Sequence, residues 1–273
     1  MKSPITSPLF ATFALLILLS SLALIAQDHF AISAALALLS MPIAMYAYGN
    51  LHNFFHRPVG NPRVNHSREI QGILLANCLA LGWNLYKRHH TNHHKYNNGP
   101  KDYSTNLNKK GDWHSGSYYL TKNALIPYLI LLIPGAALAE IPKKSWTPLL
   151  FIDETLRTLI KLAFYLAFGP KGLAILILWQ ILFVLQLFYF NYLQHFEVPI
   201  GEAVVWQNPL FNHLTLNQGY HDQHHQSPST NADHLPTIPS RTPPKKTVGV
   251  FHPKLFLYFL ISPHHLHTQL NKN

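Results

Sequence analysis

Two uninterrupted apolar blocks open the chain. Leu9 to Ala26 carries no charged residue, and after Gln27-Asp28-His29 a second uncharged block runs from Phe30 to Gly49. At about 1.5 Å of rise per helical residue, each block is long enough to cross roughly 30 Å of hydrocarbon. Together they read as a transmembrane hairpin. A cleaved signal peptide explains the first block less well, because its apolar run exceeds the usual ~7–15 residues and a second block follows at once. The composition agrees with the membrane reading: 48% of the 273 residues are apolar and only 12% are charged.

Three more apolar stretches follow, Ala124 to Ala139, Leu149 to Phe168 and Gly172 to Leu193. Gly169-Pro170-Lys171 is too short a link for anything but an antiparallel pair, so the last two form a second hairpin. Asp153, Glu154, Arg157 and Lys161 fall in the early turns of its first arm, which places that end in the membrane interface. Pro127 and Pro134 break the stretch from Ala124 to Ala139, which reads as interfacial or re-entrant, and Ile70 to Trp83 is too short to span. The expected fold is an all-α integral membrane protein with about four transmembrane helices in two hairpins, near residues 9–26, 30–49, 150–168 and 172–193. Interfacial helices and a histidine-rich cap complete a single domain over 1–273.

The formal charge of +10 arises from 21 basic and 11 acidic residues. On a soluble chain that balance would point to nucleic acid. Here Lys87, Arg88, Lys95, Lys101, Lys109, Lys110 and Lys122 share the loop after the first hairpin, and Arg241, Lys245 and Lys246 lie in the tail, 226–273. By the positive-inside rule these segments, the histidine clusters and both termini are expected on the cytoplasmic side. The single cysteine, Cys78, excludes an intrachain disulfide and any C-x-x-C metal or redox site.

Nineteen histidines are present, and nine fall into four groups beside the apolar blocks. They are His52 and His56 in HNFFHRP, His90, His93 and His94 in HHTNHH, His195 in NYLQHFEVP, and His221, His224 and His225 in GYHDQHH. Spacings of three and four put the rings of a group on one helix face, and Asn191, one turn before His195, joins that face. His89 also stands four residues from His93, but the register with His90 repeats the later H-x-x-H-H unit. The tract SPHHLH at 262–267 reads as solvated tail.

Neutral imidazole suits iron, zinc, copper and nickel. A zinc site takes at most four ligands and a catalytic one three, so nine histidines imply two metal ions. The Glu-x-x-His pairs of carboxylate-bridged di-iron bundles are missing, which leaves a site made almost wholly of histidine. A membrane metal transporter is the competing class, but transporters bury polar ligands at the bilayer midplane, and these histidines lie outside the apolar blocks.

The order H-x-x-x-H, H-x-x-H-H, N-x-x-x-H, H-x-x-H-H, with one hairpin before the first box and another between the second and third, resembles the membrane fatty acid desaturase superfamily. The resemblance covers about Met41 to His225. It implies two irons held by His52, His56, His90, His93, His94, His195, His221, His224 and His225, with Asn191 as an outer or water-mediated ligand. NYLQH and NQGYHDQHH resemble the bacterial acyl-lipid desaturases. The stretch LAFGPKGLAILILWQ before NYLQHFE also resembles alkane monooxygenases, although Gln194 replaces that branch's glutamate and HNFFHRP lacks its acidic residue. The implied reaction is oxygen-dependent insertion of a double bond into an acyl chain, with alkane or fatty-acyl hydroxylation as the alternative.

Removing hydrogen from an unactivated methylene is beyond any side-chain acid or base, which is why such chemistry calls on iron and dioxygen. Ligating histidines usually donate their other nitrogen to a carboxylate or carbonyl, and Asp102, Glu197 and Asp222 are placed to serve. With one cysteine the chain cannot hold an iron–sulfur centre, so a separate donor of ferredoxin, rubredoxin or cytochrome b5 type, with its reductase, is expected. The basic residues Lys87, Arg88, Lys95 and Lys101 offer such an acidic carrier a docking face.

Overall fold

A computed structural model describes residues 7–56, 62–108, 111–196 and 198–244. Among these residues the fold is all-helical, and extended pairing is limited to isolated bridges such as Leu107 with Trp113 and Val205 with Tyr220. The chain divides into two compact units. The first combines the described residues of Pro4–Arg88 and Pro127–Val184; the second combines those of His89–Ile126 and Leu185–Asn273.

The first unit holds the apolar helices. α1 spans Pro8–Asp28, opened by Pro8 in its first turn and by the Ser7 hydroxyl, which accepts from the Leu9 amide. Leu15, Leu19, Leu22 and Ala26 recur on one face and are buried, whereas Phe10, Phe13, Ile17 and Leu24 are exposed. Large side chains left outside on a helix whose one charge is its terminal Asp28 fit a hydrocarbon surround rather than water. α1 is long and apolar enough to cross a membrane, and so is the helical stretch Pro148–Gln194.

The second apolar block is not one straight helix. It forms α2, Phe30–Leu39, and α3, Met41–His56, bent by 48° at Ser40. Pro42 explains the break: inside a continuous helix it would lack an amide for the Leu38 carbonyl and its ring would press on that oxygen, but in the first turn of a new helix it is tolerated. Ser40 is fixed in the corner by accepting from the Trp179 indole at 2.8 Å. The pair counts as a third candidate span if its two helices are taken together.

α4, Pro62–Cys78, is followed by α5, Trp83–Tyr96, across a short turn that contains Gly82 at φ 64°. Three of the charges near the start of Pro148–Gln194, Asp153, Glu154 and Arg157, are enclosed by protein. Asp153 is 2% exposed and accepts from the backbone amides of Trp83 and Asn84 at 3.1 and 2.8 Å and from the Asn77 amide at 2.6 Å. Its carboxylate therefore caps the N-terminus of α5, where free amides and the helix dipole favour negative charge. Glu154 and Arg157 pair at 2.5 Å, both buried.

Ala124 to Ala139 does not form one helix. α6, Gly116–Leu120, runs through a π-turn at Thr121–Leu125 into α7, Ile126–Leu131, and left-handed Gly135 separates this from α8, Ala136–Glu140. α9, Pro148–Gln194, is interrupted at Gly169, whose φ of 62° and ψ of −166° suit only a residue without a side chain. Residues from both sides of the break, Thr158 and Tyr165 on one and Leu173 and Ile177 on the other, line one cavity. Lys171 donates to the Gln27 carbonyl at 2.5 Å, and Gln27 donates to the Phe168 carbonyl at 2.7 Å, tying this corner to the end of α1.

The second unit is built from the later part of α5, the loop after it, the end of α9, α10 (Pro209–Thr215) and α11 (His221–Gln226). The loop is fixed by side-chain amides: Asn106 donates to the Tyr192 carbonyl at 2.8 Å and its own amide donates to Asn98 at 2.8 Å. Gly219, just before α11, is required sterically. A Cβ there would lie 2.3 Å from the Asn212 Oδ1 and 2.7 Å from the Trp206 carbonyl.

Candidate metal centre

Helix spacing builds the first half of the site. On α5, His90 and His94 stand four residues apart with His93 between them, so neighbouring rings project from one side of the helix in two directions. α11 repeats the pattern with His221, His224 and His225. His195 comes from the turn that follows α9.

Four of these rings meet. One nitrogen from each of His93, His195, His221 and His225 lies within 4.8 Å of the other three. The His195 Nε2 is 3.1 Å from the Nε2 atoms of both His93 and His221, and His225 stands 3.1 Å from His221. A second group lies beside it: the His94 Nε2 is 3.1 Å from that of His90 and 3.0 Å from that of His224. The remaining pair, His52 and His56, sits on α3 in the other unit, with ring centroids 4.9 Å apart and His52 buried. His89 turns instead to Tyr103, ring to ring at 5.1 Å.

The partners on the far side of the rings decide which nitrogen faces inward. The His93 Nδ1 is 2.8 Å from the Asp102 carboxylate, and the His195 Nδ1 is 3.1 Å from the Glu202 carbonyl. Both partners only accept, so each neutral ring carries its proton on Nδ1 and turns a lone pair inward on Nε2. Two lone pairs then face each other across 3.1 Å, which is unfavourable unless a cation lies between them. One proton could bridge this pair, but His221 and His225 bring two more Nε2 atoms to the same point, His221 at 3.1 Å from His195 and His225 at 3.1 Å from His221. Nitrogens about 2.1 Å from a common ion and at right angles around it stand roughly 3.0 Å apart, so the donor set fits a metal.

Burial acts in the same direction. It depresses the His195 imidazole from the ordinary 6.5 to about 3, with a smaller contribution from the neighbouring His93 ring. Burial likewise holds His225 well below that value, with His221 and His93 adding to it. Both rings are therefore neutral and able to ligate at physiological pH. Burial alone would raise the Asp102 carboxyl, but the His93 hydrogen bond, with the Ser104 and Asn98 amides, holds it below the ordinary carboxylate value.

The other expected residues take varied places. The Asn191 amide donates to the Tyr119 hydroxyl at 2.6 Å, that hydroxyl donates to the Ser104 carbonyl at 3.2 Å, and the Ser104 hydroxyl donates to Asp102 at 2.9 Å. Asn191 thus heads a part-buried polar chain that ends on the carboxylate behind His93. Asp222 faces away from the rings. It accepts from the Arg241 amide at 2.6 Å, from the Arg241 guanidinium at 2.5 and 2.9 Å and from Gln226 at 3.0 Å, pinning residue 241 to α11. Glu197 lies outside the described residues. Of the basic face, Lys87 is paired with Glu69 at 2.5 Å, while Lys95 and Lys101 are exposed.

Glu202, Tyr119 and Arg241 were not among the expected site residues. Glu202 acts through its backbone, which leaves no trace in residue type. Tyr119 lies 72 positions from the asparagine that it meets, and Arg241 reads by itself only as one more basic tail residue.

The family model described as fatty acid desaturase matches residues 29–248. The chain belongs to the fatty acid desaturase family. Comparison with curated proteins gives no match. The match spans all four histidine groups, and family membership points to oxidoreductase chemistry on a lipid substrate at a membrane. In this desaturase-family chain, the paired histidine clusters are the feature able to hold metal.

Proposed function

We propose that this protein is an oxygen-dependent di-iron desaturase that introduces a double bond into the acyl chain of a lipid. The observation that carries the reading is the pair of neighbouring imidazole clusters, one of them with inward lone pairs fixed by Asp102 and the Glu202 carbonyl. One iron would be held by His93, His195, His221 and His225. The other would be held by His90, His94 and His224, with His52 and His56 assigned to it on the strength of their H-x-x-x-H spacing. Asn191 serves from outside through the Tyr119 and Ser104 chain. Iron bound there would supply what no side chain can, the activation of dioxygen for hydrogen removal from an unactivated methylene.

The protein's own contribution is orientation. Asp102 and the Glu202 carbonyl fix the tautomers of His93 and His195, and burial keeps the rings unprotonated. Arg241, through Asp222, holds the short helix that carries three of the ligands.

Gln194 favours desaturation over hydroxylation. Its amide donates to the Gln218 carbonyl at 3.0 Å, and the glutamate of the alkane monooxygenase pattern could not donate there. The proposed topology has four crossings, near 9–26, 30–49, 150–168 and 172–193, with the histidines on the cytoplasmic side, supported by the basic loops. Electrons come from a ferredoxin, rubredoxin or cytochrome b5 type donor, and exposed Lys95 and Lys101 are the side chains offered to it.

The test is expression in a host of simple lipid composition, with mass spectrometry of its acyl chains and iron analysis of the purified protein. New unsaturation with two irons per chain, absent in His224→Ala, is the expected result. Hydroxylated product would move the protein to the hydroxylase branch, and zinc without oxygen consumption would overturn the enzyme reading.

A further inference from the structure

The turn that ends α5 holds two buried asparagines, Asn97 and Asn98, at 9% and 2% exposure. Asn97 stands one helical turn beyond His93, its backbone amide donating to the His93 carbonyl at 2.6 Å. The two residues hold φ of 36° and 63°, the left-handed region in which a helix commonly ends on a single glycine. Two successive residues with side chains cost more there than glycine, and asparagine is among the few types that tolerate it. A turn that needed only its backbone shape would be met more cheaply by glycine. The Asn97 side chain has a use of its own.

That side chain reaches the segment behind His195. Its amide donates to the Gly201 carbonyl at 2.6 Å, and the Asn97 backbone carbonyl accepts from the Gly201 amide at 3.1 Å, a closed pair of bonds across 104 positions. The next carbonyl along the chain, that of Glu202, is the one that stands on the His195 Nδ1. His93 is served differently. The Asn98 backbone amide donates at 2.7 Å to the Asp102 Oδ2, the same oxygen that lies 2.8 Å from the His93 Nδ1. The acceptor behind one ring therefore depends on the Asn97 side chain, and the acceptor behind the other on a backbone group. An acceptor that drifts away no longer dictates the tautomer, and the ring then carries its proton on either nitrogen.

We propose that Asn97 is a positioning residue of the metal centre, setting which nitrogen of His195 faces inward by holding the Gly201–Glu202 backbone against the ring. It acts through that backbone and not on the ring itself. The inference rests on the reading of the histidines as metal ligands and is independent of the reaction that the metal performs. Replacing Asn97 by glycine keeps the left-handed turn open to the chain and removes only the side-chain donor. His195 should then be released while His93, whose acceptor is held by the Asn98 backbone, should not.

The test is NMR of the metal-free protein in detergent with isotopically labelled histidine, which separates protonated from unprotonated ring nitrogens, together with ferrous-iron affinity by chelator competition without oxygen. With the native sequence, His93 and His195 are both expected to carry the proton on Nδ1. Asn97→Gly should divide His195 between the two tautomers, leave His93 unchanged and weaken iron binding roughly tenfold. Asn97→Asp should do the same, because a carboxylate of equal size cannot donate to the Gly201 carbonyl, and this variant carries the test if the glycine variant does not fold. A turn of merely structural importance would lower stability without moving one ring's proton and sparing the other's. Retention of the His195 Nδ1 proton in both variants, disturbance of His93 as great as that of His195, or unchanged iron affinity where the tautomer has changed would each overturn the proposal. Absence of iron binding by the native chain would count against the metal reading alone, and the ring protons of the Asn97 variants would still decide whether this residue sets the tautomer.

Discussion

Asp102 decides which nitrogen of His93 faces the cluster, so a change of one atom there has a defined result. In Asp102→Asn the side chain can turn an amide N–H towards the ring and stabilise the opposite tautomer, with its proton on the inward nitrogen. Metal affinity should fall roughly 10- to 100-fold, measured by competition with a chelator of known affinity. His195 gives a second prediction. Its folded value, about 3, lies below the ordinary 6.5, so between these limits the unfolded chain binds more protons than the folded one. Its contribution to stability is complete above about pH 6.5 and is lost as the pH falls through that window. Metal-free protein should lose about 2 kcal/mol on going from pH 7 to 5, seen as a monotonic fall in melting temperature. The grouping of the histidines was legible from the residues alone, because helix spacing of three and four fixes which rings share a face. The partner of Asp222 was not legible: proximity in sequence to a ligand says nothing of direction, and its carboxylate accepts from Arg241, nineteen positions on.

At the level of elements, the breaks matter more than the helices. Gly169 holds a backbone conformation closed to residues with a Cβ, although no atom lies within 4 Å of where one would be. Gly169→Ala should therefore cost about 1–3 kcal/mol through strain alone, read as a lower melting temperature in detergent. Asp153→Ala should destabilise by a similar amount, about 1–2 kcal/mol, since it strips the cap from the helix that carries HHTNHH. Its distinguishing sign would be loss of protection from hydrogen exchange at the Trp83 and Asn84 amides. The first apolar block and α1 agree within two residues at either end, because an uncharged run and its flanking polar residues are local facts. The corner at Ser40 was hidden: Pro42 sits inside an apolar block and its effect depends on helix geometry rather than hydropathy. The enclosure of Asp153, Glu154 and Arg157 was hidden as well, since the groups that satisfy Asp153 come from Asn77, Trp83 and Asn84, about seventy positions away.

For the molecule as a whole, the second unit depends on contacts between distant parts of the chain. His195 meets His93 across 102 positions and His224 meets His94 across 130. Chelation should loosen this unit throughout and not merely silence it, because metal held by such ligands contributes folding energy directly. Limited proteolysis with and without chelator would show it, with cleavage expected to spread across the loops of the second unit. Closing so long a loop is where a cross-link gains most against the disorder of the open chain. The same arrangement sets an order of events during synthesis: the last rings of the cluster leave the ribosome more than a hundred residues after the first. Ions held by both halves of such a cluster would therefore enter a finished unit rather than a growing one, and would act on it as rivets, shutting behind themselves the structure that admitted them.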